Sequence, residues 1–257
     1  MQKIKIDYTH NNSVARIILD DGKGNVLDSI MMGELNELLN SFKSNNDLKL
    51  ITFEGAGKHF SFGASVEEHT KENAPAMLSE FHKIFFNIIN LSIPTLAKIS
   101  GQCLGGGLEL ALICNFMFAD KSAKLGQPEI VLGVFPPPAS VILPLKIGNA
   151  KAEELLLTGK VISAERGKEI GLINDVFEDR TNMEEEVDKW ISENILGKSA
   201  SSLRYAVRAS RATFGHLMQK FLPMVEDMYL RGLMETEDAN EGINSFLEKR
   251  KPEWKNR

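Results

Sequence analysis

The sequence predicts a layered α/β fold followed by a helical tail, and three observations carry that prediction. The first is a strand, strand, helix, strand rhythm over residues 3–53. The second is an apolar strand-like run, Thr95 to Ile99, which leads through Gly105-Gly106-Gly107 into a helix beginning Leu108-Glu109-Leu110-Ala111-Leu112. The third is the chain beyond Gly197-Lys198-Ser199, where every segment has the helical period. That tripeptide marks a boundary between an α/β part, 1–195, and a helical region, 196–257. With 257 residues, 43% of them hydrophobic, the chain can bury a large core.

Taken in order, residues 3–8 and 14–19 read as strands joined by the turn His10-Asn11-Asn12-Ser13. A helix capped near Asp28 or Ser29 then sets Met31, Leu35, Leu38, Leu39 and Phe42 on one face. Leu48 to Phe53 is a third strand. Ala74, Met77, Leu78, Phe81, Ile84, Phe85, Ile88 and Ile89 lie at helical spacing, and the helix they define stops at Ile93-Pro94, because the residue before a proline is pushed out of the helical region. After the glycine run, a short strand from Phe116 to Ala119 leads on to Gly126-Gln127-Pro128-Glu129. A strand returning to the same sheet edge would bring Glu129 beside Glu109. Helices follow at about 139–147 and 150–158, the second ending at Gly159, and a short one is capped by Ser163 and stopped by Gly171. Gly171 to Val176 reads as one more strand and 182–195 as a helix. No sequence repeat accompanies the pattern.

Composition excludes several classes. A net charge of −5 argues against a general nucleic-acid surface. The two cysteines, Cys103 and Cys114, sit in apolar stretches without His or Cys partners at metal spacing, so they read as free core thiols of a reducing cytosol. MQKIKIDYTH has no apolar secretory core, and no run reaches transmembrane length. A soluble, cytoplasmic protein is expected. The tail 196–257 carries 11 Lys and Arg against 8 Asp and Glu, whereas 1–195 carries 19 against 27. Such a basic tail is a solvated face or faces an anionic ligand.

The chemistry is concentrated in Ser100 to Val134. Three glycines before a helix let bare backbone approach a ligand, and the helix start offers unpaired N–H groups to a carbonyl oxygen that gains charge. Glu109 stands in the first turn of that helix; with Glu129 it makes the carboxyl pair that acid/base chemistry uses. Neither nucleotide-phosphate glycine fingerprint is present. His69 and His82 flank the helix that begins at Ala74, and each reads more readily as a structural hydrogen-bonder than as a catalyst.

Together with the upstream stretch Gly57-Lys58-His59-Phe60-Ser61-Phe62-Gly63-Ala64-Ser65, these motifs resemble the crotonase (enoyl-CoA hydratase/isomerase) superfamily over nearly the whole chain. The resemblance implies a spiral of β-β-α units with a C-terminal helical trimerisation region, assembled as a homotrimer or a dimer of trimers. It implies an oxyanion hole of the Ala64 and Gly106 N–H groups, with Glu109 and Glu129 as catalytic acids and bases. By family analogy Glu129 serves the α-carbon and Glu109 the water; the residues alone leave that assignment open. The substrate is an acyl-CoA thioester, with no metal and no separate cofactor. Met77 and Phe81, on the helix after the oxyanion loop, become candidates for the acyl pocket. In Glu241-Gly242-Ile243-Asn244-Ser245-Phe246-Leu247-Glu248-Lys249-Arg250-Lys251, Phe246 and Lys249 match the terminal motif that reaches a neighbour's CoA, and Lys58 is a further phosphate-side candidate.

Two departures stand out. Ser65 replaces the usual Asp after Gly-Ala, and Pro136-Pro137-Pro138-Ala139-Ser140 replaces a Gly-rich run. Phe135 and the prolines form a stiff apolar wall, and with Ser65 in the oxyanion loop they resemble the cyclohexa-1,5-diene-1-carbonyl-CoA hydratases. An ordinary fatty-acid enoyl-CoA hydratase is the competing reading. An isomerase usually needs only one of the two glutamates and a non-catalytic RNA-binding relative neither, so possession of the pair favours a hydratase.

Overall fold

The computed structural model describes residues 1–257. The chain opens with a hairpin of β1 (Ile4–Thr9) and β2 (Val14–Leu19), paired antiparallel with Ile4 opposite Leu19. Its turn places His10, Asn11 and Asn12 in the left-handed region, which Asn tolerates better than most residues. Helix α1 (Ser29–Ser41) is capped by Asp28, whose side chain accepts from the Met31 N–H. β3 (Leu50–Gly55), α2 (Ala74–Leu91) and β4 (Thr95–Ile99) follow. Next come β5 (Gln102–Leu104), α3 (Gly106–Leu112), β6 (Phe116–Asp120) and β7 (Lys124–Gly126). α4 (Pro137–Ile147), α5 (Asn149–Thr158), β8 (Val161–Ser163), α6 (Ala164–Glu169), β9 (Asp175–Phe177) and α7 (Arg180–Ile191) complete the α/β part.

Six strands form the main sheet in the order β1-β2-β3-β4-β6-β9, and every pair after the first is parallel. Both faces of this sheet are covered. On one side lies the principal core, built on α1, α2 and α3; on the other, Val14, Leu50, Leu96 and Phe118 pack under Met183, Val187 and Ile191 of α7. Burial from both sides explains why all six residues of β3 are buried and why it lacks hydrophobic alternation. Glu54 within it is held by Arg16 and Lys98, as a buried carboxylate requires.

The return that brings Glu129 back runs in a separate sheet. β7 pairs parallel with β5, not with the main sheet, in the order β5-β7-β8. Three-residue strands carry too little periodicity to be seen in sequence, and β8 was unforeseen. The segment expected as a strand from Gly171 narrows to Asp175–Phe177: Leu172 and Ile173 instead turn back, their N–H groups donating to the Gly167 carbonyl. α7 begins at Arg180, capped by Asp179, and unwinds through a wide turn at Ser192–Leu196.

The helical tail comprises α8 (Ala200–Ser210), α9 (Ala212–Asp227), a wide turn at Met228–Gly232 and α10 (Glu237–Leu247). It folds onto its own chain. Met218, Leu222, Tyr229, Met234, Ala239 and Ile243 belong to the principal core. Arg211 donates to the Ile113 and Cys114 carbonyls at the far end of α3. Gly242 lies so close to the Leu132 carbonyl that a Cβ there would be 2.1 Å from the oxygen, and Trp254 packs over both Gly242 and Gly133. The tail is thereby clamped to the turn that carries Glu129.

Candidate active site

The loop from Gly55 to Ser65 is held at its start by Arg180, which donates to the Gly55 and Gly57 carbonyls, and from beneath by Asn25. Asn25, 1% exposed, donates from its amide to the carbonyls of Ala56, His59 and Phe60. Ser61 donates to the Asn25 carbonyl and accepts from the Gly63 N–H. The Gly63 carbonyl and the Ser65 N–H both bond to Leu27, leaving the Ala64 N–H between them free. Across the gap, α3 starts at Gly106, whose N–H has no acceptor within the helix. A Cβ on Gly106 would stand 3.1 Å from the Ala64 nitrogen, so the two backbones approach closely at this point.

Gly105 makes this approach possible. Its φ of +50° belongs to the left-handed region, and a Cβ there would be 2.7 Å from Glu129 Oε1. The same close passage sets the Glu129 carboxyl against the start of the helix that carries Glu109. Glu109 is 3% exposed and accepts the Ala139 N–H at 2.9 Å. The prolines explain that bond: Pro137 and Pro138 fill the first positions of α4, where a missing N–H costs nothing, and Ala139 supplies the first N–H of the helix. Glu129, in the turn Pro128–Leu132, is partly exposed and faces the buried Gln127 amide, which, oriented to donate, reaches its two oxygens at 3.0 and 3.1 Å.

Both glutamates line one cavity of about 300 Å³. Ala64, Gly106, Met77, Phe81 and Phe135 line it as well, as do Val134, Pro136 and Pro137 of the proline turn. Phe62, Val131 and Phe246 are exposed apolar side chains on its rim. Burial pushes the Glu129 carboxyl up to about 8. Burial, reinforced by the charge of Glu129 and opposed by the Ala139 N–H, raises Glu109 well above the usual carboxylate range. Both carboxyls therefore hold their protons more tightly than a free glutamate does, and they titrate as a coupled pair.

These observations meet in a match over almost the whole chain: a profile of the enoyl-CoA hydratase/isomerase family covers residues 9–257. The chain belongs to the enoyl-CoA hydratase/isomerase family. A cyclohexa-1,5-dienecarbonyl-CoA hydratase of Thauera aromatica is 41% identical, with 99% of this chain and 97% of that one aligned. Among solved structures, an enoyl-CoA hydratase of Bacillus anthracis is 31% identical, covers 100% of both chains and superposes with a TM-score of 0.77. An enoyl-CoA hydratase of Mycobacterium avium subsp. paratuberculosis, at 21% identity and 99% coverage of both, shares the fold with a TM-score of 0.87.

For a member of this family, some expected positions fall elsewhere. Ser65 does not line the cavity: its N–H is spent on Leu27 and its carbonyl accepts from His69 Nδ1 at 2.7 Å. Lys58 and Lys249 are exposed and stand outside the cavity lining, Lys249 in a left-handed conformation beyond α10. Phe246, a candidate substrate-binding residue, is on the cavity rim, where α10 packs on the Glu129 turn. Sequence reasoning undervalued His69, which lines the cavity and whose imidazole is pushed below its ordinary value by burial. Tyr229 was missed outright; its only sequence signal is a lone phenol in the apolar, helical stretch from Phe221 to Leu233. Cys103 and Cys114 are free and buried, and no helix is long and apolar enough to cross a membrane.

The raised carboxyls carry a stability signature. Glu129 binds its proton more tightly in the native state than in the unfolded chain, so stability falls as pH rises from about 4.5 to about 8. Glu129→Gln is expected to melt above the wild type at pH 8, the gap closing toward pH 4.5. Parallel melting-temperature profiles for the two proteins would contradict this account.

Proposed function

We infer that this chain is a hydro-lyase adding water to a conjugated enoyl-CoA thioester, and that a cyclic dienoyl-CoA such as cyclohexa-1,5-diene-1-carbonyl-CoA is its preferred substrate. The observation that carries the hydratase reading is the pairing of two carboxyl groups, Glu109 buried and Glu129 partly exposed, with two free N–H groups around one apolar cavity. In this reading the thioester oxygen lies between the Ala64 and Gly106 N–H groups, which stabilise the enolate formed when water attacks the β-carbon. Removing one such donor typically costs about 3–4 kcal/mol. Glu109 takes the water proton and Glu129 delivers a proton to the α-carbon; no metal or redox cofactor enters. Met77, Phe81 and Phe135 hold the acyl group, and Lys58 and Lys249 are reserved for the outlying CoA phosphates. An isomerase would leave one of the two carboxyls without a task.

The ring preference is supported by the 41% identity to the Thauera enzyme and by the wall that Phe135, Pro136 and Pro137 present to the cavity. Proline fixes φ, so this wall cannot open for a long flexible chain as a glycine-rich turn can. Assembly as a homotrimer or dimer of trimers in the cytoplasm belongs to the same reading, with 1–195 as its α/β core and 196–257 as the helical region at the assembly interface. Sedimentation of the full chain is expected at the trimer or hexamer mass; a fully active monomer would refute the assembly.

Glu109→Gln and Glu129→Gln should each lower kcat by roughly 100- to 10,000-fold while CoA-thioester binding stays near that of the wild type, since each deletes a proton transfer and keeps the shape. Near-native turnover in either variant would overturn the two-carboxyl mechanism. For the substrate, kcat/KM is expected to be higher for cyclohexa-1,5-diene-1-carbonyl-CoA than for crotonyl-CoA, with product mass increased by one water. The reverse order would assign a linear enoyl-CoA instead.

A further inference from the structure

Of the two polar groups of the cavity that the reaction outlined above leaves without a task, His69 is bonded to the Ser65 carbonyl and Tyr229 has no partner. Its side chain is 1% exposed, and its hydroxyl has no hydrogen-bond partner. It lines the same cavity as Glu109 and Glu129, close enough for the charges of both to act on it. Its ring is fixed edge-on against Phe135 of the proline turn, with centroids 5.4 Å apart and planes at 72°. The backbone that presents it is the wide turn Met228–Gly232, a π-type irregularity at the end of α9 of the kind that recurs at functional sites.

A buried hydroxyl without a partner is destabilising, and phenylalanine would fill the same space without that penalty. The phenol therefore calls for a partner that arrives with the substrate. Burial and the two nearby carboxyl charges hold its proton on, so it enters the reaction as a donor. The thioester oxygen is already served by the Ala64 and Gly106 N–H groups, and a hydrocarbon acyl group offers no other acceptor. What remains is the oxygen that is added. In the attacking water one lone pair goes to carbon and the hydrogens face the carboxyls, which leaves the second lone pair unused.

We propose that the Tyr229 hydroxyl is a catalytic hydrogen-bond donor to the oxygen that hydration adds to the β-carbon, first as water and then as the product hydroxyl. The proposal rests on the hydratase reading. Tyr229 keeps its proton throughout; it orients the water for attack and, in the reverse direction, holds the same oxygen while Glu109 returns its proton and water departs.

The test is Tyr229→Phe. Its kcat for hydration is expected to fall about 10- to 100-fold, with KM for the enoyl-CoA within about twofold. The wild type should bind 3-hydroxybutanoyl-CoA in preference to butanoyl-CoA, and the variant should lose about tenfold of that preference. Its melting temperature should equal or exceed that of the wild type, since an unpaired buried hydroxyl has been removed. Unchanged kcat and unchanged ligand preference would overturn the proposal, as would a lower melting temperature with equal weakening of both ligands, the mark of a packing role. A wild type that hydrates no enoyl-CoA fails the hydratase reading itself, whereas an active wild type with an equally active variant fails only the role of Tyr229.

Discussion

The site depends on one steric constraint, the passage of the Gly105 backbone directly beneath the Glu129 carboxyl. A side chain at Gly105 would overlap Oε1, and its φ of +50° is one that side-chain-bearing residues rarely adopt. Because α3 begins at the next residue, the same geometry aims the Gly106 N–H, sets Glu109 one turn further on and fixes the separation of the two carboxyls. Gly63 repeats the device on the facing loop, with φ of +108° and a Cβ position 3.0 Å from the Leu104 carbonyl. Close backbone approach, which only glycine permits, thus precedes and determines the electrostatics.

The helix so aimed is also held at its far end. Arg211 and Lys146 bring two cations to the Ile113 and Cys114 carbonyls, where the negative end of the α3 dipole lies. Burial lowers both, Lys146 to about 8, so their tolerance depends on those carbonyls. Arg211 belongs to the tail and Lys146 to α4. The short helix carrying Glu109 is therefore gripped by two later parts of the chain, and its orientation is a tertiary property.

This explains what could be read in the sequence. The long amphipathic helices, the hairpin and the glycine-glutamate motifs were legible because each is a local pattern: α1 with its Asp28 cap and α2 with its apolar stripe match expectation closely. Ala64, Gly106, Glu109 and Glu129 were legible through the family motifs, and the structure gathers all four on one cavity. The proline run was noticed as a departure, yet its use was not: that it hands the Ala139 N–H to Glu109 depends on two segments 30 residues apart. Tyr229 was invisible for the same reason, lying 100 residues beyond Glu129 on a helical irregularity that no short-range pattern announces. Ser65 lies off the cavity because a backbone bond to Leu27 decides where it points, a contact between segments 38 residues apart that no local pattern announces.

The clamp formed by Gly242 and Trp254 over the Glu129 turn has a temporal meaning. Ribosomal synthesis delivers Leu27, Ala64, Glu109 and Glu129 long before Tyr229, Ile243 and Phe246, so a nascent chain holds both carboxyls while one wall of their chamber does not yet exist. Until that wall docks, the cavity stays open on that side to water, which favours the charged form of its carboxyls. Domains generally fold as units during synthesis, and contacts this distant in sequence form late because of the loop entropy they must overcome. The chamber thus reaches its full proton affinity as the tail settles, which links the onset of catalytic competence to completion of the fold.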